Sequence, residues 1–267
     1  MPEFTLPDDV TLHYEIDGSG PPLLLLAGMM GDSAGWAALL PHLTPHFTVV
    51  RPDNRSTGRT RPWNAEASVQ IYARDAAALM AELGFDHYDV CGHSMGGLIA
   101  MELFGLVPDA VRRICILASA PVRVPRTMAV FDSLLAVRSA PDGETLWLRA
   151  LYPWLFAPAF FATPGAVEQA LTLALGYPHA QGRDAMAHQI EVLRSYRPTI
   201  RAADVTCPVL TVFAGDDLLI PEEAGRAAFA AMPDVTQTTL PDAGHSLHWD
   251  KPAEVADLLT DFLRPGK

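Results

Sequence analysis

The segment that most restricts this chain is Gly92-His93-Ser94-Met95-Gly96-Gly97. The apolar run Tyr88-Asp89-Val90-Cys91 before it reads as a strand, and Leu98-Ile99-Ala100-Met101-Glu102-Leu103-Phe104 after it reads as a helix. A G-x-S-x-G placed between a strand and a helix forces a turn so tight that the serine backbone is strained and its hydroxyl is pushed into the open. Gly92 and Gly96 lack side chains because strand and helix nearly touch there. The helix N-terminus behind Ser94 offers free N–H groups and a positive end, both suited to a developing oxyanion. A lone G-x-S-x-G arises by chance in roughly one chain in ten of this length. The strand before it, the helix after it and the partners downstream lift this one above that level.

Strand-like and helical runs alternate along the 267 residues. Thr11–Ile16 alternates as a strand; Leu23–Leu26 and Phe47–Val50 are continuous apolar runs, as strands buried on both faces should be. Ser68 is placed to cap a helix that carries Tyr72, Ala76, Leu79, Met80 and Leu83 on one face, and Gly84 ends it. Ile114–Leu117, Val209–Phe213 and Thr236–Leu240 read as further strands, with helices near Glu222–Ala231 and Ala253–Phe262. Such alternation predicts an α/β fold with a mostly parallel central sheet and helices on both faces. Residues 121–204 contain no clear strand and are rich in aromatic side chains, with helical stretches broken by Pro153, Pro158, Pro164 and Pro178. They are expected to form a helical cap inserted between two parts of the core, residues 1–120 and 205–267.

Composition narrows the function. A net charge of -12 disfavours nucleic acid, because phosphates would be repelled and no Lys/Arg run offsets the balance. Cys91, Cys115 and Cys207 lie in or beside apolar runs with no metal or redox spacing, which predicts buried structural thiols. No secretory signal opens the chain and no apolar run reaches membrane-spanning length, so a cytoplasmic setting without a membrane partner is expected. A homo-oligomer stays open.

A serine hydroxyl is a weak nucleophile at neutral pH. It needs a base within hydrogen-bond reach, and the base needs an orienting carboxylate. Asp216 and Asp217 directly follow the strand-like run Val209–Phe213, and His245 and His248 follow the last one. His93 is unsuited as the base, because adjacent residues on a tight turn point apart. The remaining histidines, among them His42, His46 and His188, read as solvated or satisfied in the core.

These segments resemble the α/β-hydrolase superfamily along nearly the whole chain. Asp217 has Pro221 four residues beyond it, as the family's acid loop does, although Gly215 stands one place nearer than usual; Asp216 is the alternative. Gly244-His245, followed by Asp250, Pro252 and Glu254, resembles the family's histidine loop. The resemblance implies a catalytic Ser94, Asp217 and His245, and an oxyanion hole made by the N–H groups of Met29 and Met95. In the loop Ala27-Gly28-Met29-Met30-Gly31-Asp32, Ala27 replaces the usual histidine, which a backbone donor does not require. Asp53-Asn54-Arg55-Ser56-Thr57-Gly58-Arg59-Thr60 resembles a family segment with Gly at the place of Ser56 and Ser at the place of Thr60; Asp53 and Arg55 should organise the loop under the site. A phosphate site at the paired arginines is the competing reading.

The branch most resembled contains cofactor-free haloperoxidases, enol-lactonases and small-molecule esterases. Haloalkane dehalogenases and epoxide hydrolases carry Asp where this chain has Ser94. The expected function is hydrolysis of small, largely apolar acyl or aromatic esters through an acyl-enzyme, with no metal or organic cofactor. Met30, Trp154 and Phe156 are expected to line the substrate pocket, methionine supplying soft, adaptable surface. Enol-lactone or carbon–carbon bond hydrolysis, amide hydrolysis and perhydrolysis would use the same groups. An acidic lactone would need a carboxylate clamp, for which Arg123, Arg126, Arg138, Arg149 and Arg194 are available, surface ion pairing being the plainer use of each. A ligand receptor of the same fold is the non-enzymatic reading.

Overall fold

The aliphatic run Leu23–Leu26 is wholly buried, and the reason is its place in the middle of the sheet. The computed structural model describes residues 2–264. Its eight strands are β1 (Glu3–Thr5), β2 (Thr11–Gly18), β3 (Pro22–Leu26), β4 (Thr48–Pro52), β5 (Tyr88–His93), β6 (Val111–Leu117), β7 (Val209–Ala214) and β8 (Val235–Leu240). They lie side by side in the order β1-β2-β4-β3-β5-β6-β7-β8. β1, β2 and β4 pair antiparallel; every pair from β4 to β8 is parallel. The short edge strand β1 was not legible, since three residues are too few to display an alternation.

Around the sheet run α1 (Leu40–Leu43), α2 (Val69–Glu82), α3 (Met95–Leu106), α4 (Pro125–Arg138), α5 (Gly143–Leu155), α6 (Pro158–Ala162), α7 (Ala166–Gly176), α8 (Arg183–Ser195), α9 (Glu222–Phe229), α10 (Leu247–Asp250) and α11 (Pro252–Leu263). Sequence chemistry sets their ends. The Ser68 hydroxyl accepts from the Ile71 N–H at 3.1 Å and so caps α2, and Gly84 leaves that helix at φ +75°. Proline opens α4, α6 and α11, where its missing N–H costs nothing. Pro153 does not break its helix as expected. It sits in the last turn of α5, where only one hydrogen bond is lost.

Alternate residues of the strands feed two cores, as the two-residue side-chain period requires. Leu24, Val50, Val90 and Ile116 pack with α2 and α3 on one face. Leu23, Val49, Cys91, Cys115 and Leu117 pack with Trp36 and α11 on the other. Truncating one of these leucines to alanine should cost about 2–5 kcal/mol. Cys91 and Cys115 face each other in the β5–β6 register, fully buried and unpaired, and burial pushes both thiols well up. A third cluster lies apart from the sheet: Phe131, Trp147, Leu151, Tyr152, Leu171 and Ile190 hold α4, α5, α7 and α8 together. No helix among the described residues is long and apolar enough to cross a membrane.

Candidate active site

The C-terminal ends of β3, β5, β7 and β8 carry the groups singled out above, which is where parallel sheets gather ligand-facing loops. Ser94 stands between β5 and α3 with φ +53° and ψ -120°, a region that non-glycine residues rarely enter. The turn is forced: a Cβ on Gly96 would overlap the Leu26 carbonyl oxygen, and one on Gly92 would overlap that of Gly96. Leu117 on the neighbouring strand anchors the turn by accepting the Ser94 N–H at 2.9 Å.

The Ser94 Oγ lies 2.9 Å from His245 Nε2, and His245 Nδ1 lies 2.9 Å from Asp217 Oδ2. The other Asp217 oxygen, Oδ1, accepts the N–H groups of Leu219 at 2.7 Å and Ile220 at 3.0 Å. Burial alone would raise this carboxyl. The charge and hydrogen bond of His245, with the two backbone donors, outweigh burial and hold it below the usual carboxylate range. Asp216 is exposed and engages Ala243 only through its backbone N–H, so the geometry brings Asp217, not Asp216, to the imidazole.

Neither neighbouring histidine reaches the hydroxyl of Ser94. His93 is buried, with Nε2 2.8 Å from the His245 carbonyl oxygen; burial first, then the His245 charge, pushes it down to about 3. His248 packs 4.3 Å from His93 and 5.1 Å from Trp36, ring centre to ring centre, and burial drives its titration well down. Both rings stay neutral and support the loop that bears His245. That loop is tied further by Asp250, whose Oδ2 accepts from Gly244 at 2.8 Å and Ala157 at 3.1 Å, and by the Ser246 N–H, which donates to Leu155 at 2.8 Å.

Met95 is the first residue of α3, so its N–H has no carbonyl one turn earlier to bond. The β3 loop passes close by: a Cβ on Gly28 would lie 3.0 Å from the Cβ of Ser94. That approach brings the stretch Gly28-Met29-Met30 beside the serine. Met30 adopts φ +65°, and its N–H donates to Gln189 Oε1 at 2.8 Å. Gln189 is fully buried on α8, and its Nε2 donates to the Arg55 carbonyl. Nothing in the sequence pointed to this residue, because its two partners lie 159 and 134 positions away.

A cavity of about 300 Å³ opens onto Ser94 and His245, at the small end of the range for ligand sites. Leu98, Met128, Phe131, Leu193, Leu219 and Ile220 give it an apolar bed, while Arg123, Arg194 and Arg197 stand on it as well. Met30, Trp154 and Phe156 are not among the lining residues, contrary to expectation. All three are partly buried against the helical cluster instead; Phe156 stacks on Phe160 at 4.3 Å, and the backbone hydrogen bonds of Leu155 and Ala157 to the histidine loop fix that segment's course. A wider groove of about 520 Å³ between α2, α3 and residues 198–204 lies away from Ser94.

The Asp53 segment supports this arrangement. Asp53 is fully buried and accepts from the N–H groups of Ser33 and Arg59, each at 2.8 Å. Arg55 makes a two-pronged pair with Asp75 at 2.6 and 2.8 Å and a third contact to Asp8 at 2.6 Å. Its guanidinium is thus occupied by carboxylates, which leaves a phosphate little to bind. Ser56 takes φ +71°, the conformation a glycine would adopt with ease, and its hydroxyl lies 2.8 Å from His188 Nδ1.

A family model described as the alpha/beta hydrolase fold matches residues 21–252. A protein of Azorhizobium caulinodans named "Putative carbamate hydrolase RutD" is 30% identical over 260 residues, covering 95% of each chain. A thermophilic esterase from Thermogutta terrifontis superposes with a TM-score of 0.84 at 24% identity, covering 98% of this chain and 97% of that one. The enol-lactonase of Burkholderia xenovorans LB400 superposes with a TM-score of 0.85 at 22% identity, covering 98% and 99%.

Proposed function

Because the chain belongs to the α/β-hydrolase fold family, we propose that it hydrolyses carboxylic esters through an acyl-enzyme on Ser94. The observation that carries this reading is the row Ser94 Oγ, His245 Nε2, His245 Nδ1, Asp217 Oδ2, with both links at 2.9 Å, ending at a cavity. Such a row gives a weak alcohol its base, and gives the base its tautomer.

The substrate ester lies with its carbonyl carbon over Ser94. The hydroxyl oxygen attacks while His245 Nε2 removes its proton. Asp217 accepts the Nδ1–H bond and stabilises the imidazolium that forms. The N–H groups of Met95 and Met29 hold the tetrahedral oxyanion, a contribution of about 3–4 kcal/mol for one donor in comparable sites. The intermediate collapses, His245 protonates the departing alcohol oxygen, and the acyl group stays on Ser94. Water then attacks the acyl carbonyl, losing a proton to His245, and Ser94 leaves with that proton as the acid is released. Residues 121–204 act as a cap that supplies one wall of the acyl pocket.

The test is direct. Ser94→Ala should lower turnover of p-nitrophenyl esters by at least about 10³-fold, and a fluorophosphonate should label the native protein but not the variant. Wild-type turnover in Ser94→Ala would overturn the assignment. The relatives named carbamate hydrolases favour a second reading, in which the attacked carbonyl is a carbamate and the same residues serve. Comparing an ester with its carbamate analogue of equal size decides between them.

A further inference from the structure

Seventeen arginines share this acidic chain, and most of them meet a carboxylate. Among the described residues, only Arg61, Arg74, Arg123, Arg126 and Arg197 have no ion pair. Two of these five, Arg123 and Arg197, line the cavity that ends at Ser94. No aspartate or glutamate among the described residues lines it. From this, and resting on the ester-hydrolase reading above, we infer that the natural substrate carries a carboxylate, received by Arg123 and Arg197 while the ester or lactone carbonyl meets Ser94.

The three guanidinium groups of the cavity differ in their engagements. Arg194 is neutralised by Asp132 at 2.6 Å and Glu191 at 3.3 Å. Arg197 donates through Nη1 to the carbonyls of Arg194 at 3.1 Å and Tyr196 at 2.6 Å, which aims the group without cancelling its charge. Arg123 makes no hydrogen bond among the described residues. An exposed cation in water gains little from one partner. Two of them converging on a cleft with an apolar bed gain more, because the cleft lowers the local screening and a planar guanidinium matches a carboxylate with two parallel bonds.

The wall that carries Arg197 is also fixed relative to the reacting serine. Glu102 is a buried residue of α3, the helix that begins directly after Ser94. Its carboxylate accepts from the Tyr196 hydroxyl at 3.0 Å, the Thr199 N–H at 2.9 Å and the Thr199 hydroxyl. Arg197 is therefore pinned on both sides to the helix that sets the position of the nucleophile. Arg123 stands on the loop between β6 and α4, whose start is tied by the Ala118 N–H to the Val212 carbonyl at 2.9 Å. The substrate class that fits has an apolar body on Leu98, Phe131 and Ile220, an acyl carbonyl at one end and a carboxylate at the other. A monoester of a dicarboxylic acid and a lactone bearing a free acid both qualify.

The experiment uses the full chain and two esters of equal acyl length, monoethyl glutarate and ethyl pentanoate. The charged ester should be preferred by about 10-fold or more in kcat/KM, mainly through KM, and about 0.5 M NaCl should narrow the preference, since salt screens exposed charges. Arg123→Gln and Arg197→Gln should each cut the ratio several-fold, and Arg123→Glu should invert it. Arg126→Gln, a neighbour outside the cavity, should keep the ratio. A neutral ester cleaved as well as the charged one, with normal fluorophosphonate labelling, overturns the carboxylate inference alone. Failure of both esters and of labelling overturns the hydrolase reading beneath it.

Discussion

Ser94 holds a backbone conformation that its own side chain disfavours, and the neighbouring glycines leave it no alternative. Strain of this kind aims the hydroxyl at the imidazole of His245. Asp217 completes the row, and its depressed titration gives a sign that can be checked. Its folded carboxyl lies below the ordinary 3.8, so the ionised form is the one the fold prefers. That contribution to stability is present above about pH 4 and fades as pH falls through the folded value. Asp217→Asn keeps the shape but donates where it should accept, so the imidazole is turned to the wrong tautomer. Turnover of a p-nitrophenyl ester should fall by about 10³–10⁴-fold while KM changes little. At this scale much was legible. A strand, a glycine-flanked turn and a helix specify the serine without distant help, and Gly244-His245 is equally local. The choice of Asp217 over Asp216 needed the resemblance, because only the fold decides which of two adjacent carboxylates faces inward.

Elements make the less legible part of the site. Helix α8 reaches the β3 loop through Gln189, which holds Met30 in its left-handed conformation and so fixes the peptide beside Met29. Gln189→Leu deletes the acceptor for Met30 and the donor to Arg55. The expected result is a fall in kcat of about 10–100-fold with KM nearly unchanged, and a stability loss of about 1–3 kcal/mol, read by steady-state kinetics and urea titration. No local pattern marks such a residue, since a buried glutamine in a helix looks like any other until its partners are known. The same reason defeats Met30, Trp154 and Phe156 as pocket residues. Aromatic content identified a packed helical segment, but which of its faces turns toward Ser94 depends on how α4 and α8 pack on each other. The wall is made instead by Phe131, Leu193 and the 196–198 segment, held by Glu102 from 94 or more positions away.

Across the whole molecule, neutral buried histidines set how the fold meets acid. His93 and His248 are both held below the ordinary imidazole value of 6.5. The unfolded chain therefore binds protons that the folded one refuses, and stability must fall as pH drops below about 6.5. The loss grows as pH falls from 7 toward 5, where the unfolded imidazoles fill with protons and the buried ones do not. His248 is the clean test, because its Nδ1 has no hydrogen-bond partner among the described residues. His248→Leu should be close to neutral at pH 8 and should flatten the decline toward pH 5, seen as a smaller loss of Tm than in the parent protein. The strand–helix alternation and the two-sided burial of the central strands were legible from continuous aliphatic runs. The partnership of His93 with His248 was not, since it joins the end of β5 to α10, beyond β8.

Cys91 and Cys115 face each other in the most protected layer of the protein, with thiols too shielded to ionise. An alkylating reagent can reach them only when the layer of Trp36 and α11 lifts from that face of the sheet, so labelling followed by mass spectrometry should time the opening of the scaffold that holds Ser94. Cys207, at the edge of the core, should react sooner. If the two inner sulfurs were modified as fast as Cys207 in native buffer, the central sheet would be breathing far more than its packing allows.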